Sequence, residues 1–321
     1  MKKSVKACLM AVSLLVTFGT AIVTSTACSL NGDFTALGTV KYKRNTYEVS
    51  EEFHNVSIDT DTADIRFIRS EDETCRVVCD EREKVKYSVS VEEGTLSVAL
   101  IDEREWFDYI GISFQTPVIS VYLPKTEYGA LVIEASTGDV EIPNGFTFES
   151  IDISLSTGDV TNRASASSNV KIKTSTGDIY VEAIKANILN LSVSTGKVTA
   201  SKIVCEEMTV DVSTGKTYLS DVSCQSFAST GNTGDISLKN VIFSEACSIE
   251  RSTGDVTFDA CDGLNITVTT STGDVTGTLL SGKRFVTKTS TGSVKVPQDS
   301  EGGKCEITTS TGDIRITIKE E

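Results

Sequence analysis

The sequence predicts an all-β protein: a single-stranded parallel β-solenoid (β-helix) of about ten 19-residue coils behind a β-rich N-terminal cap. The first observation is a short phrase, ending in Thr-Gly, that returns ten times at spacings of 19 or 20 residues. The second is that apolar and polar residues alternate on both sides of each glycine, as in β-strands. Helical-pair repeats need more than about 30 residues, so the repeat unit consists of strands. The glycines are Gly138, Gly158, Gly177, Gly196, Gly215, Gly234, Gly254, Gly273, Gly292 and Gly312.

Residues 1–27 are predicted to direct export, as a signal peptide or a membrane anchor. Lys2, Lys3 and Lys6 precede an uncharged, mostly apolar run over residues 7–23, which is typical of a secretory signal. Three outcomes fit this N-terminal segment: lipid attachment to Cys28, cleavage after Ala27 to release a secreted protein, or an uncleaved transmembrane segment over residues 7–30. Each outcome places the rest of the chain outside the cytoplasm, with residues 28–44 as a linker.

Residues 45–130 are predicted to form a β-rich cap that includes a degenerate first coil. Residues 56–67 match the repeat with Ala63 in the glycine position, and alternating runs at 75–79, 87–91, 96–100 and 118–123 predict further strands. A cap is expected because an open coil end leaves backbone groups unpaired. An alternative role for the aromatic loop at residues 106–114 is a contact surface. At the other end, Lys319, Glu320 and Glu321 are expected to discourage edge-to-edge association.

Residues 131–321 are predicted to form the solenoid repeat domain. Positions −7, −5 and −3 from each glycine are mostly apolar or Thr, and the alternation resumes with mostly apolar residues at +2 and +4. Each coil therefore comprises a strand, a Ser-Thr-Gly bend, a second strand and a six-residue arc. Stacking the coils about 4.8 Å apart would join these strands into parallel sheets around an apolar interior. A third apolar ladder is expected at position −12, through Ile184, Ile203, Val222, Ile242, Cys261 and Leu280.

The residue immediately after each glycine is the main candidate for a functional group. Seven of these residues are Asp, two are Lys (Lys197 and Lys216) and one is Ser293. Stacked carboxylates repel one another, so we consider three explanations: hydrogen bonds from each Asp to its own bend, solvent exposure, or a bound cation. The candidate cation ladder is Asp235, Asp255 and Asp274. The two lysines would relieve the repulsion and interrupt a continuous row of cations.

The cysteines offer a second candidate feature. Cys205 and Cys224 lie 19 residues apart and should stack on neighbouring coils, within the range that a disulfide tolerates. The alternative is that both are small apolar residues of the interior. The chain has no CxxC pair, which argues against a zinc or redox centre. No cofactor is predicted.

Composition excludes several classes of function. The 321 residues carry a net charge of −15, and no cluster of Lys and Arg suits nucleic acid. His54 is the single histidine, so any catalytic Ser/His/Asp or Cys/His arrangement would have to use it as the base. It precedes the degenerate strand, where we expect a surface or cap histidine. We therefore expect no enzymatic activity and no catalytic residues.

The Ser-Thr-Gly-Asp-Val/Ile phrase, recurring about every 19 residues behind an N-terminal membrane segment, resembles the bacterial putative-adhesin family of domains of unknown function with β-strand repeats. The resemblance covers about residues 45–321. It implies a β-solenoid on the cell surface and brings no catalytic residues with it. Lys197, Lys216, Ser293 and Ala63 depart from the phrase.

The function expected from the sequence is a non-enzymatic, membrane-tethered surface solenoid, an adhesin or envelope scaffold that binds another macromolecule, protein or glycan. Two alternatives remain at this point. One is a polysaccharide-acting β-helix enzyme that uses acidic residues on one face. The other is a cation-stabilised structural or envelope-sensing module.

Overall fold

The computed structural model describes residues 41–106, 115–298 and 301–319, and within these the protein is all-β. The N-terminal strands are β1 Lys43–Val49, β2 Asn55–Thr62, β3 Asp64–Arg69, β4 Cys75–Glu81, β5 Val85–Glu92, β6 Thr95–Asp102 and β7 Val118–Leu123. The repeat strands are β8 Glu127–Thr137, β9 Val140–Ile142, β10 Thr147–Thr157, β11 Val160–Asn162, β12 Ser165–Thr176, β13 Ile179–Glu182, β14 Ile188–Thr195, β15 Val198–Val204, β16 Glu207–Thr214, β17 Thr217–Thr233, β18 Ile236–Thr253, β19 Val256–Thr272, β20 Val275–Leu279, β21 Lys283–Thr291, β22 Val294–Lys295, β23 Gly303–Thr311 and β24 Ile314–Ile318.

These strands form the predicted β-solenoid. We call each bend glycine, with the strand before it and the strand after it, a rung named after that glycine; an arc leads from each rung to the next. Equivalent strands of neighbouring rungs pair in parallel and in register, as β10 does with β8 and β12. Inward residues such as Ile151, Ile153 and Val160 are buried, and outward residues alternate with them. The period-two pattern thus places one continuous apolar core along the solenoid axis.

The third apolar ladder is confirmed in most arcs and wrong in two. Ile184, Ile203, Val222 and Cys261 are buried, but Ile242 and Leu280 are each 38% exposed. Val241 and Leu279 take the interior positions instead. The strand register shifts between Phe243 and Ala246, which shows that the extra residue of that 20-residue spacing lies after the ladder position and not before it.

Each regular arc begins at a second bend, which the sequence did not reveal. Its residue has a positive φ between +52° and +58° although it is never glycine. The residues at this second bend are Ala183, Lys202, Asp221, Asn240 and Ala260. Because one residue in the left-handed conformation costs only about 1 kcal/mol, no single residue type is required at this bend, and the sequence shows no motif there.

The N-terminal strands complete and cover one end of the solenoid. β2 and β3 form the degenerate rung around Ala63 and pair in register with β8 and β9. Strands β6 and β7 stack in parallel on the outer side of β2 and β3. Antiparallel β5 then covers β6, while β4 pairs with β7 and β1 with β4. The four alternating runs predicted upstream of the repeats are all strands.

The C-terminal end differs from the expected order. The Gly312 rung, formed by β23 and β24, lies between the Gly273 rung and the Gly292 rung. Strands β21 and β22 are therefore outermost, and β24 has neighbours on both sides only at Ile314 and Arg315. Glu320 and Glu321 lie outside the described residues, so the expectation that Lys319, Glu320 and Glu321 discourage edge-to-edge association stays a prediction. Thr287 and Thr289, half-buried on the inward face of β21, suit an end rung because an apolar side chain there would contact water.

Candidate functional site

The bend glycines form one continuous column, Ala63, Gly138, Gly158 and so on to Gly273, Gly312 and Gly292. All ten glycines have φ between +132° and +154°. A Cβ at any of them would lie 1.7–2.1 Å from a carbonyl oxygen of the neighbouring rung, the Ala63 carbonyl in the case of Gly138. Glycine is thus required both by the backbone conformation and by the close approach of rungs. Ala63 is tolerated because it is at the end of the column and is not among the residues with positive φ.

The Asp residues after the glycines connect neighbouring rungs. Oδ1 of Asp139 accepts the backbone N–H of Asp159 at 2.9 Å, and Oδ1 of Asp159 accepts that of Asp178 at 2.7 Å. The same bond recurs from Asp255 to Asp235 and from Asp274 to Asp255, at 3.2 and 2.8 Å. The expectation that each Asp bonds to its own bend is therefore wrong for these residues. Oδ1 of each Asp accepts a backbone N–H of the next rung instead. Each carboxylate satisfies an N–H group that would otherwise lack an acceptor.

The two lysines of this column form ion pairs with their Asp neighbours. Nζ of Lys197 lies 3.3 Å from Oδ2 of Asp178, and Nζ of Lys216 lies 3.0 Å from Oδ2 of Asp235. The hydrogen bond from Lys216, together with the N–H of Asp255, holds the pKa of Asp235 below its usual range. In the candidate cation ladder Asp235, Asp255 and Asp274, each Oδ1 accepts a backbone N–H, and Oδ2 of Asp235 pairs with Lys216. Among the described residues, no group of three or more His, Cys, Asp or Glu side chains is placed to hold a metal ion.

Ser293 shows where the column ends. Its N–H and its hydroxyl both donate to Oδ1 of Asp313, at 2.7 and 2.9 Å. No described strand stacks outside the Gly292 rung, so a carboxylate at position 293 would have no backbone N–H to accept. The departure of Ser293 from the Asp of the phrase therefore marks the terminal rung, a signal that the sequence carried.

The outer face of the longer strands presents a flat polar surface, which we call the polar shelf. Its side chains stand in two in-register columns on β14, β16, β17, β18 and β19, and all of them are exposed or half-buried. All but one carry a hydroxyl, amide or carboxylate group. The columns are Asn190, Thr209, Ala228, Ser248 and Thr267, and Ser192, Asp211, Thr230, Glu250 and Thr269.

A hollow of about 450 Å³ opens in the polar shelf, with Asp211, Thr230 and Glu250 among its outer residues and Gly231 and Arg251 at its floor. Gly231 occupies an inward position that holds Val212 in the preceding rung. A Cβ at Gly231 would lie 2.1 Å from Nη1 of Arg251, so the missing side chain provides the space for the guanidinium.

Arg251 is a buried cation that the sequence did not reveal. It is only 5% exposed, and Nη2 donates to Oγ of Ser229 at 2.9 Å and to Oγ1 of Thr217 at 3.5 Å. Its Nε has no hydrogen-bond partner. Burial lowers the pKa of Arg251 to about 10, against the opposing effect of the Asp211 carboxylate, so the side chain is charged at neutral pH. The sequence pattern that could have identified it is an Arg at an inward-facing position, in register with Gly231 of the preceding rung.

The remaining candidates are dispersed. His54 is exposed and precedes β2, where its N–H donates to the Gly94 carbonyl at 2.8 Å. Cys28 and residues 107–114 of the aromatic loop lie outside the described residues. Trp106 itself is 79% exposed. In the part of the chain that the structure covers, no helix is long and apolar enough to span a bilayer.

Cys205 and Cys224 lie side by side, as their spacing predicts. The pairing of Val204 with Ser223 brings the next residue on each strand, a cysteine in both cases, to neighbouring positions on adjacent arcs, and the N–H of Cys205 donates to the Ser223 carbonyl at 3.1 Å. Both side chains are buried, and the neighbouring Cys224 thiol lowers the pKa of Cys205. Both are free thiols here, so the disulfide stays a prediction.

Several solved structures are similar to this chain. A putative adhesin from Bacteroides fragilis NCTC 9343 shares 14% sequence identity, with 87% of this chain and 98% of that chain covered and a TM-score of 0.41. A putative lipid binding protein from Parabacteroides distasonis ATCC 8503 shares 13% identity over 87% and 98% of the chains, with a TM-score of 0.47. A putative adhesin from Parabacteroides merdae ATCC 43184 shares 13% identity over 75% and 95%, with a TM-score of 0.42. No curated protein matches the sequence.

The family comparison covers most of the chain. The model of the Toastrack DUF4097 family matches residues 53–316, which runs from the residue before His54 into the last strand and includes every bend glycine. The chain belongs to the Toastrack DUF4097 family.

Proposed function

We propose that this protein is a non-enzymatic surface solenoid, tethered to the membrane by its N-terminal segment, that binds another macromolecule along the polar shelf. The observation that carries the proposal is the shelf itself. Its hydroxyl, amide and carboxylate groups repeat in register about every 4.8 Å along a rigid axis. Such spacing suits a polymer with regularly placed hydrogen-bonding groups, and a glycan strand is the class that we favour.

The hollow adds a distinct contact to the shelf. Its floor is the Arg251 guanidinium and its outer residues include the Asp211 and Glu250 carboxylates. The hydroxyls of Thr230 and Thr269 also line the hollow, so donors and acceptors lie within one depression above the positive charge of Arg251. This is the arrangement by which a few placed polar groups orient a neutral polyhydroxyl ligand. We call the residues that follow the bend glycines, together with Asp64 after Ala63, the bend column. It contributes little to recognition, because its Asp residues bond to neighbouring rungs.

A glycan panel tests this proposal. The full-length protein is expected to bind one or more members, and D211N or E250Q is expected to weaken that binding about tenfold, the effect of losing about 1.4 kcal/mol. Asp259 is an exposed Asp on another face, so D259N is the matched control and should bind normally. Equal losses in all three variants, or no binding to any glycan, would contradict the shelf as the binding surface; a pull-down of surface proteins would then test a protein partner.

The proposed location has its own test. The basic and apolar N-terminal pattern supports export, and Cys28 supports a lipid anchor. Protease added to intact cells should degrade the protein, and C28S should release it from the membrane fraction if lipid is the anchor. Retention of C28S in the membrane would favour the transmembrane alternative, and full protection from protease would contradict surface exposure.

The enzymatic alternative has less support. Asp255 and Asp274 are the acidic residues on one face that such an enzyme would use, and each already accepts a backbone N–H of the next rung through Oδ1. Turnover of any polysaccharide that is abolished by D255N or D274N, with the fold retained, would restore that alternative. For the cation-stabilised alternative, the corresponding measurement is the melting temperature with and without millimolar calcium.

A further inference from the structure

One pair of neighbouring residues in the bend column lacks the side-chain bond that joins every other pair. We call each such pair of neighbours a step. The column contains ten steps from Asp64 to Ser293, and nine of them carry a side-chain hydrogen bond or an ion pair between neighbours. The remaining step lies between Lys197 and Lys216. Lysine has no acceptor for the N–H of the next rung, and the two ammonium groups bond in opposite directions, to Asp178 and Asp235. We call this step the lysine junction.

The apolar packing between the two rungs of the lysine junction is also reduced at one inward position. Thr217 occupies the inward position that is Val198 in the preceding rung and Ile236 in the following one. It is fully buried, and its Oγ1 contacts Arg251 at 3.5 Å. A Val–Thr contact buries less apolar surface than a Val–Val contact, so less hydrophobic stabilisation joins these two rungs. The backbone ladder itself continues, with Val198 N–H donating to the Lys216 carbonyl at 3.0 Å.

Cys205 and Cys224 span this same step. Cys205 lies in the arc after the Gly196 rung, and Cys224 lies in the arc after the Gly215 rung. In-register neighbours on parallel strands are about 4.8 Å apart, within the Cα separation that disulfides adopt. Both side chains are buried.

We propose that Cys205 and Cys224 form a disulfide that ties together the two rungs of the lysine junction. The disulfide substitutes a covalent link for the side-chain hydrogen bond or ion pair that the nine other steps of the column have. In a solenoid each rung contacts only its neighbours, so one weak step limits the cooperativity of the whole array. The proposal does not depend on the ligand of the polar shelf.

The reaction needs an oxidant, for which we name a low-molecular-weight disulfide. The Cys205 thiolate attacks one sulfur of that disulfide, forms a mixed disulfide and expels one thiolate. The Cys224 thiolate then attacks the Cys205 sulfur, closes the protein disulfide and expels the second thiolate; the two cysteine protons are taken up by the two leaving groups. Interaction with the Cys224 thiol lowers the pKa of Cys205, and interaction with Cys205 raises the pKa of Cys224. Cys205 is also the more exposed, at 8% against 4%. Cys205 is therefore the first nucleophile.

The first experiment equilibrates the reduced full-length protein with oxidised glutathione, then denatures it in iodoacetamide and maps the peptides by mass spectrometry. The expected result is a linked Cys205–Cys224 peptide, with Cys247 alkylated, because Cys247 pairs in register with Phe227 and Ile266 and not with another cysteine. Alkylation of both Cys205 and Cys224 would overturn the proposal.

The second experiment tests the role at the lysine junction by hydrogen exchange. Oxidation should slow exchange in residues 196–234 by roughly tenfold or more, and should leave the rungs from Gly138 to Gly177 unchanged. The double variant C205S/C224S should show no redox response, and K197D, which supplies the missing acceptor to Lys216, should reduce it. An equal change along the whole solenoid, or none at residues 196–234, would contradict the assignment to this step.

Discussion

The glycine column makes the sharpest prediction about stability, and G177A tests it. The Cβ of alanine would lie 2.0 Å from the Gly158 carbonyl oxygen, where at least 3.0 Å is needed. The two rungs must therefore separate by about 1 Å at this bend. Gly177 also has φ +139°, a conformation that an L side chain strains to adopt.

The cost depends on the bonds that the separation stretches. Gly158 N–H to Thr176 O and Val160 N–H to Asp178 O are both 2.9 Å, and Asp178 N–H to Oδ1 of Asp159 is 2.7 Å. One further ångström takes all three beyond hydrogen-bonding distance. At about 1 kcal/mol net for each bond and 1–3 kcal/mol for the backbone, G177A should lose about 4–6 kcal/mol. A domain has about 5–15 kcal/mol in total, so folding would be marginal.

The matched control is G145A, and the assay is urea denaturation followed by far-UV circular dichroism. Gly145 also has a positive φ, +93°, but a Cβ there meets nothing within 4 Å. It should cost only the backbone strain, about 1–2 kcal/mol. If G177A were within about 1 kcal/mol of G145A, the close approach of rungs would not be what requires glycine.

Three further predictions concern the column and the arcs. D159A should cost about 1–2 kcal/mol in urea denaturation because the Asp178 N–H loses its acceptor, whereas S293D at the terminal rung should stay within about 0.5 kcal/mol; equal effects would contradict the stacking role of Asp. Val241 is fully buried and Ile242 is not, so V241D should abolish cooperative unfolding while I242D remains folded, and the reverse would restore the ladder position expected from the sequence. The pKa of Asp235 is lowered from its ordinary 3.8, so its contribution to the free energy of unfolding is present above about pH 4 and is lost as the pH falls through the lowered pKa. D235N should therefore reduce the dependence of stability on pH below about pH 4, and an unchanged slope would show that the Lys216 pair contributes nothing.

The strands and bends could be predicted from the sequence because each rung repeats the same local interactions. Alternation at Ile151, Ile153 and Leu155 specifies which side chains face inward, and the recurring glycine specifies the bend. The second bend, at Ala183 and its equivalents, left no signal, because one residue of almost any type can adopt that conformation. The misplaced ladder residues have a different cause, a shift of register between neighbouring rungs. For Ile242 the shift is the extra residue inserted between Phe243 and Ala246, whereas Leu280 lies in a 19-residue spacing and follows the register shift between Phe258 and Cys261.

The candidate site was predicted less completely. The spacing of Cys205 and Cys224 placed them correctly on adjacent arcs. Arg251 was not found because its role depends on Gly231, Ser229 and Thr217, which are close to it only across neighbouring rungs. A buried guanidinium is tolerated where neighbouring rungs leave space and acceptors, and that is a property of the stack.

The sequence by itself determined the repeat unit: which residues form strands, where the chain bends, and that the strands stack in parallel. Only the tertiary structure decided which rung lies beside which. The Gly292 and Gly312 phrases are locally alike, so short-range preferences do not distinguish their positions. The order is set at the solenoid end, where Thr287, Thr289 and Ser293 tolerate contact with water while the more apolar Gly312 rung, with Ile307 and Ile314 fully buried, gains more from neighbours on both sides.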